Sequence, residues 1–371
     1  MSIEISSFSK LNKLTILIPS YNRQNYVIRC MRFWSKTNVN LLIIDGSDNS
    51  LDISKYKFGK NIRYLHSKKN YYSRLYFSID LVLTEYVMLG CDDEFYIPSA
   101  LNSCISTLES ENDLLTCGGL SVAFDCQKNL VLAYPKYLKL KNLLINDNNS
   151  NKRIQKHFSN YVPAHIYSIC RTKKWKDVAK VVFKKEYSFY SAMEFQIEFL
   201  LCYAGKTKIL SELLWLRSYE VSPIRNDSPQ SNLRNTIAKW WYEKNNKYKV
   251  EFKDFTQRMV NICKFLDKKN GSKSININQT INFAFKSLLG FGKTIRYLVC
   301  KYKIIVTIYN LHQRIIGDCL YYFSQFFKKK KTKTKLTNYG FLIEKKGVKV
   351  DHYKLREIEK IVIDFHRNKN I

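Results

Sequence analysis

The sequence predicts an α/β fold: a mostly parallel sheet with helices on both faces, followed by a mainly helical C-terminal region. Three observations carry this. Short β-branched apolar runs alternate with segments of helical spacing. Each successive run ends in polar residues, as strands do at the carboxyl edge of an open sheet where ligands bind. Beyond about residue 228 the alternation stops and longer helical patterns take over.

Leu14-Thr15-Ile16-Leu17-Ile18 is a β-branched run closed by Pro19, a strand signal, and Ser20 to Arg23 is a polar turn. Tyr26, Val27, Cys30, Met31 and Trp34 then recur at helical spacing, predicting a helix over residues 24–36. Val39 to Ile44 reads as a second buried strand ending at Asp45-Gly46-Ser47-Asp48. Residues 61–65 read as a third strand and 71–82 as a helix. Tyr86-Val87-Met88-Leu89 is the fourth strand. It stops at Gly90, and Asp92-Asp93-Glu94 follow at once. Three successive carboxylates repel one another and sit poorly in a core, so the strand delivers them to the sheet rim. There their hard oxygens suit Mg²⁺ or Mn²⁺ with a substrate diphosphate, although a solvated acidic turn has the same composition. No Gly-x-Gly-x-x-Gly follows the first strand and no Walker motif is present, so neither a dinucleotide dehydrogenase nor a P-loop enzyme is supported.

The 371 residues are 45% hydrophobic, ample for a core of one large domain or two. The ten cysteines are scattered, with no Cys-x-x-Cys pair, which predicts free thiols in a reducing compartment. The N-terminus lacks the pattern of a signal peptide, and no long uncharged apolar run predicts a membrane span. The expected location is therefore cytoplasmic. The net charge of +31 predicts attraction to polyanions: nucleic acid, an anionic membrane face or phosphorylated substrates.

Taken together, Ile18 to Arg23, Ile43 to Ser47, Asn70 to Arg74 and Cys91 to Glu94 resemble family 2 glycosyltransferases with the GT-A fold, in order and in spacing. The resemblance covers roughly residues 12–125, and more loosely runs to about 220. It implies a metal-dependent, inverting transfer of a sugar from a nucleotide-diphosphate donor to a hydroxyl of a glycan or lipid-linked acceptor, in bacterial surface polysaccharide synthesis. It also implies roles. Pro19, Ser20, Tyr21 and Arg23 line the base and ribose, Asp45 accepts from the base, and Arg74 lies near the nucleotide. Asp93 is the main metal ligand of the Asp-x-Asp-type motif, with Asp92 towards the ribose or sugar. The motif departs from the family pattern in reading Asp-Asp-Glu, which leaves open whether Asp93 acts alone or with Glu94. One acid is also missing before Asp45.

Chemistry supports the acidic motif independently. A departing nucleoside diphosphate is a polyanion, and a carboxylate-held cation neutralises its charge as it develops.

Further along, Leu114 to Ala123 reads as a strand pair or a bulged strand, and residues 136–153 as a loop that covers the donor or meets the acceptor. His157 and His165 are either structural histidines or, for His165, a contact to the metal or diphosphate. Arg171, Arg217 and Arg225 are candidate phosphate contacts. Ser191 to Glu198 lies in an amphipathic helix, where family 2 enzymes that invert carry a catalytic acid. Glu194 is the expected base, taking the acceptor's proton, with Glu198 as rival one turn later. Two solvent-facing glutamates are the alternative.

The chain thus divides into a transferase domain, 1–227 (donor half about 12–125, acceptor half about 126–227), and a basic helical region, 228–371. In the latter, Phe326-Phe327 beside Lys328 to Lys331 suits a peripheral anchor on an anionic inner membrane face, or else a basic linker. The competing function classes are an inactive glycosyltransferase-like protein and a polyanion-binding protein. Against the second stands the lack of any nucleic-acid recognition signature.

Overall fold

The computed structural model describes residues 9–220, 240, 246–271, 276–301 and 333–367. Arg225, Trp241 and the Phe326 to Lys331 cluster lie outside the described residues.

The first half builds a parallel sheet. Strands β1 (Leu14–Ser20), β2 (Asn40–Asp45), β3 (Ile62–His66) and β4 (Tyr86–Leu89) run parallel in the order β4-β1-β2-β3. Helix α1 (Gln24–Trp34) connects β1 to β2, and α2 (Tyr71–Ser78) precedes β4. Alternation along the strands splits the core in two. Ile16, Ile18, Leu41 and Ile43 face one apolar cluster, whereas Leu17, Leu42 and Ile44 face the other. Both faces are therefore covered, as a parallel sheet requires. Asn70 caps α2 by accepting from the Ser73 amide at 2.8 Å.

Past the acids the sheet becomes mixed. After β5 (Phe95–Tyr96), α3 (Pro98–Ser110) starts with proline in its first turn, where the missing N–H costs nothing. Strand β6 (Leu114–Gln127) is continuous rather than a strand pair, and pairs antiparallel with β7 (Leu130–Lys136). The segment expected as a loop over 136–153 instead holds β8 (Leu144–Ile145) and the start of α4 (Ser150–Phe158), which Asn149 caps. Its Asn-rich composition was a capping signal as much as a loop signal. Strand β9 (Ile169–Arg171) inserts antiparallel between β4 and β6. Helices α5 (Thr172–Val182) and α6 (Tyr190–Ala204) follow, and Gly205 ends α6. Strand β10 (Lys206–Ser218) lies parallel to β6 and also pairs with β5 and β8.

The described helices after residue 240 divide between the two faces. Helices α7 (Asn246–Asn270) and α8 (Ile277–Lys301) bring Phe255, Met259, Leu266, Ile281 and Phe285 to the cluster that holds α4, α5 and α6. Strand β11 (Thr334–Lys335) extends the sheet at β7. Helices α9 (Leu336–Glu344) and α10 (His352–Arg367) add Leu336, Ile343, Leu355, Ile358 and Val362 to the opposite cluster. Among the described residues no helix is long and apolar enough to cross a membrane.

Candidate functional site

Parallel pairing sets the site. Register Ser20↔Asp45 and Leu17↔Leu89 brings the ends of β1, β2 and β4 to one edge. Three loops leave there: 20–23, 45–48 and 90–94. They are tied together by side chains. Asn22 adopts a left-handed φ of 52° and its amide donates to Ser47 Oγ at 2.8 Å. Arg74, buried on α2, donates from Nη1 to the carbonyls of Ser20 (2.5 Å) and Ile44 (2.8 Å). A Cβ on Gly46 would collide with this guanidinium, which explains the glycine. Arg74 Nε has no hydrogen-bond partner among the described residues. Arg74 therefore joins the two loops expected to hold a nucleotide.

Asp45 is fully buried. Its Oδ1 accepts from the Ser47 amide (2.9 Å) and hydroxyl (2.5 Å), and its Oδ2 accepts from the Tyr64 hydroxyl (2.6 Å). Burial, then this bond, pushes the Tyr64 phenol up to about 12. A base contacting Asp45 would have to share these bonds. Pro19 is half-buried and Tyr21 exposed beside them.

The acidic motif is compact. Arg23 straddles it, with Nη1 2.9 Å from Asp92 Oδ1 and Nη2 2.6 Å from Asp93 Oδ2. Burial opposes the Arg23 charge, but Asp92 and Asp93 outweigh it and hold the guanidinium well above its ordinary range. Ser20 Oγ donates to Asp92 Oδ2 at 2.6 Å. Burial raises the Asp92 carboxyl to about 6 against the pull of Arg23. Glu94 Oε2 accepts from Trp215 Nε1 (2.6 Å) and Tyr96 Oη (3.3 Å). Burial, reinforced by Asp93, lifts Glu94 to about 8.

Ligand atoms of Cys91, Asp93 and Glu94 lie within 4.8 Å of one another. The two carboxylates fit Mg²⁺ or Mn²⁺, and a cation there would offset acids crowded into a buried space. The Cys91 thiol is pushed well up by burial and by the neighbouring acids, and so adds no hard ligand.

His165 stands in a second group, with His157 and Glu198. His165 Nδ1 lies 3.0 Å from Glu198 Oε2 and its Nε2 2.9 Å from Thr207 Oγ1. Thr207 receives a bond from Thr116, so its own hydroxyl donates to Nε2, and the His165 proton sits on Nδ1 by these partners. Both ring nitrogens are thus engaged away from the acidic motif, in place of the expected metal contact. Glu198 is fully buried and also accepts from His157 Nε2 (2.9 Å) and the amides of Ala164, His165 and Ile166 (2.8–3.1 Å). Burial would raise its carboxyl, but bonds from His157 and His165 prevail and hold it far below the usual range. Such a saturated carboxylate clamps the 164–166 turn and is no base. Burial, then His165, lowers His157, which stays neutral.

Glu194, one turn earlier, is only half-buried. It accepts from the Tyr161 hydroxyl. Tyr167 lies within electrostatic reach of Cys91, Glu94, Arg217 and Glu194 together. Tyr167 is thus flanked by the acidic motif and by Glu194. Arg171 instead ties the end of α3 to β6, donating to the carbonyls of Leu108 (2.5 Å) and Leu114 (2.8 Å).

Sequence reasoning missed Arg29. It is buried, donates to both Glu220 oxygens (2.9 and 2.8 Å) and reaches the Asp93 carbonyl at 3.0 Å. An arginine on the core face of a helix was the available signal.

Residues 15–173 match the family model described as Glycosyl transferase family 2. Among solved structures, S. aureus TarS 1–349 in complex with UDP-GlcNAc is similar at 13% identity, covering 75% of this chain and 73% of that one, with a TM-score of 0.49. S. aureus TarS 1–349 in complex with UDP is similar at 12% identity, with 76% and 88% covered and a TM-score of 0.41. No curated protein matches.

Proposed function

We propose, from the match of residues 15–173 to the glycosyl transferase family 2 model, that the chain moves a sugar from a nucleotide-diphosphate donor to an acceptor hydroxyl, with inversion and with Mg²⁺ or Mn²⁺ at Asp93 and Glu94. The observation that carries the reading is the compact acidic motif at the edge where β1, β2 and β4 end, with Glu194 close enough to share Tyr167 as an electrostatic neighbour.

In this mechanism the donor lies across the ends of β1 and β2, its base towards Tyr21 and Asp45, its ribose or sugar towards Asp92, and its diphosphate towards the cation site at Asp93 and Glu94. When bound, the cation supplies charge neutralisation for the departing diphosphate. Glu194 accepts the proton from the acceptor hydroxyl as that oxygen bonds to the anomeric carbon. The bond from that carbon to the diphosphate oxygen breaks, and the nucleoside diphosphate leaves from the opposite face. Attack opposite the leaving group inverts the anomeric centre. Tyr161, donating to Glu194, fixes its orientation. The acceptor is a glycan or lipid-linked chain of surface polysaccharide synthesis. We place the reaction at the cytoplasmic face of the membrane, towards which the basic C-terminal region is drawn.

The test is release of nucleoside diphosphate from a panel of nucleotide sugars with Mn²⁺ or Mg²⁺. Turnover of one donor, lost in Asp93→Ala and with chelator, is the expected result. No turnover of any donor, with no metal-dependent nucleotide binding by calorimetry, would sink the proposal in favour of a polyanion-binding protein.

A further inference from the structure

A second feature adjoins the acidic motif through Trp215, which donates to Glu94, and has no part in the scheme above. In register across the sheet, Lys136 of β7, Ser121 of β6 and Trp215 of β10 form one row, and Tyr134, Ala123 and Arg217 form the next. Laterally paired residues project from the same face of a sheet. The middle strand contributes only small side chains, so the long ones from the flanking strands meet above it. Tyr137, with a left-handed φ of 57°, turns back so that its ring stacks 5.9 Å from Trp215. Tyr219 packs against Tyr134 at 5.5 Å.

Two cations are set into these rings. The Arg217 guanidinium lies 5.6 Å from the Trp215 ring, 5.7 Å from Tyr137 and 5.9 Å from Tyr219, and its Nη1 donates to Tyr137 Oη at 2.6 Å. Lys136 Nζ lies 4.6 Å from the Tyr137 ring and 5.6 Å from Tyr219. Among the described residues neither cation has a carboxylate within ion-pair distance, although acids and lysines pair widely elsewhere. Both are half-buried. A guanidinium held against rings keeps its remaining N–H groups for recognition of an anion, and the half-buried Tyr137 and Tyr219 rings offer flat apolar faces, with Trp215 buried against Tyr137. Trp215 joins this platform to the acidic motif through its bond to Glu94.

We propose that this platform is the acceptor subsite, and that it selects an acceptor whose hydroxyl-bearing unit carries a phosphate: the sugar or polyol lies on the rings and the phosphate meets Arg217 and Lys136. This rests on the transferase reading, which supplies the neighbouring donor and the base Glu194.

The test uses the full chain and three probes that differ at one carbon: glucose, glucuronate and glucose 6-phosphate. Binding is followed by calorimetry and by tryptophan fluorescence, to which Trp215 contributes. Each probe is also tested for acceleration of nucleoside diphosphate release. We expect glucose 6-phosphate to bind about tenfold or more tighter than glucose, as a charge-assisted pair requires, and to accelerate release most. The gap should close to within about twofold in Arg217→Gln, narrow in Lys136→Gln, and partly persist in Arg217→Lys, which keeps the charge. Melting curves identify any variant that fails to fold, and the lysine variant guards against that case. Equal binding of all probes by the wild type overturns the proposal, as does a gap unchanged in folded Arg217→Gln. Glucuronate binding as tightly as glucose 6-phosphate overturns the phosphate assignment. A single-stranded oligonucleotide or anionic vesicles displacing glucose 6-phosphate at lower concentration, with the same dependence on Arg217, would reassign the platform. Donor turnover without phosphate preference removes this proposal and leaves the transferase. Phosphate preference without turnover of any donor removes the transferase and the acceptor role together.

Discussion

Glu194 and Glu198 are one helical turn apart, and their surroundings give them opposite chemistry. Glu198 is fully buried and saturated by two imidazoles and three backbone amides. Glu198→Gln would turn an amide N–H₂ towards these donors. We expect it to lower stability by about 3–5 kcal/mol, as breaking a buried charged network does. Thermal unfolding measures this, and a melting point equal to wild type would refute the clamp role. Glu194 holds only the partly exposed position that a base needs. Glu194→Gln should lower kcat by about 10²–10⁴ while calorimetry still detects the nucleotide sugar. Wild-type turnover in that variant would return the base assignment to another group.

At the scale of elements, the last helix supports the acidic motif from behind. In α10, His366 Nε2 lies 2.5 Å from Glu220 Oε1, and the Phe365 ring lies 4.9 Å from Tyr26 and 4.4 Å from the Arg29 guanidinium. Glu220 holds Arg29, and Arg29 holds the Asp93 carbonyl. Burial would raise Glu220, but Arg29 and His366 lower it to about 2. A carboxyl depressed in the folded state contributes stability that is complete above its unfolded value. That stability is lost as pH falls from there through about 2. The contribution is on the order of 3 kcal/mol. Glu220→Gln should therefore be destabilised at neutral pH, and its deficit should shrink steadily between about pH 4.5 and 2. Denaturant melts across that range decide the matter; a deficit constant with pH would show that Glu220 contributes packing alone. Removing residues 352–371 should weaken the proposed cation binding, measured by calorimetry with Mn²⁺, because Arg29, which holds the Asp93 carbonyl, loses Phe365 and its partner Glu220 loses His366.

At the scale of the whole molecule, the net charge of +31 is spread over a chain whose described acids are largely paired or held in the acidic motif. Co-sedimentation with vesicles containing anionic lipid is expected at low salt and should fall steeply as salt screens the charge. Binding that is equal on neutral vesicles would exclude an electrostatic anchor. The helical region expected as one block after residue 228 has its described helices on both faces of the sheet. Residues 334–367 are thus part of the body that holds the site, with β11 extending the sheet beyond β7.

The sequence by itself determined the parallel half of the sheet, the order of its loops and the acids at the end of β4. These are local properties: apolar periodicity, turn residues and the impossibility of burying Asp92, Asp93 and Glu94 in a row without partners. Only the tertiary structure decided which partner each polar residue took. Ser20 lies 72 residues from Asp92, Arg29 lies 191 from Glu220, and Trp215 lies 121 from Glu94. No periodicity encodes such separations. His165 is the clearest case. It stands beside an apolar run like a ligand at a strand end, yet a buried carboxylate and a threonine hydroxyl claim both its nitrogens. The identity of a hydrogen-bonding partner is set by packing across the sheet and not by neighbours in the chain.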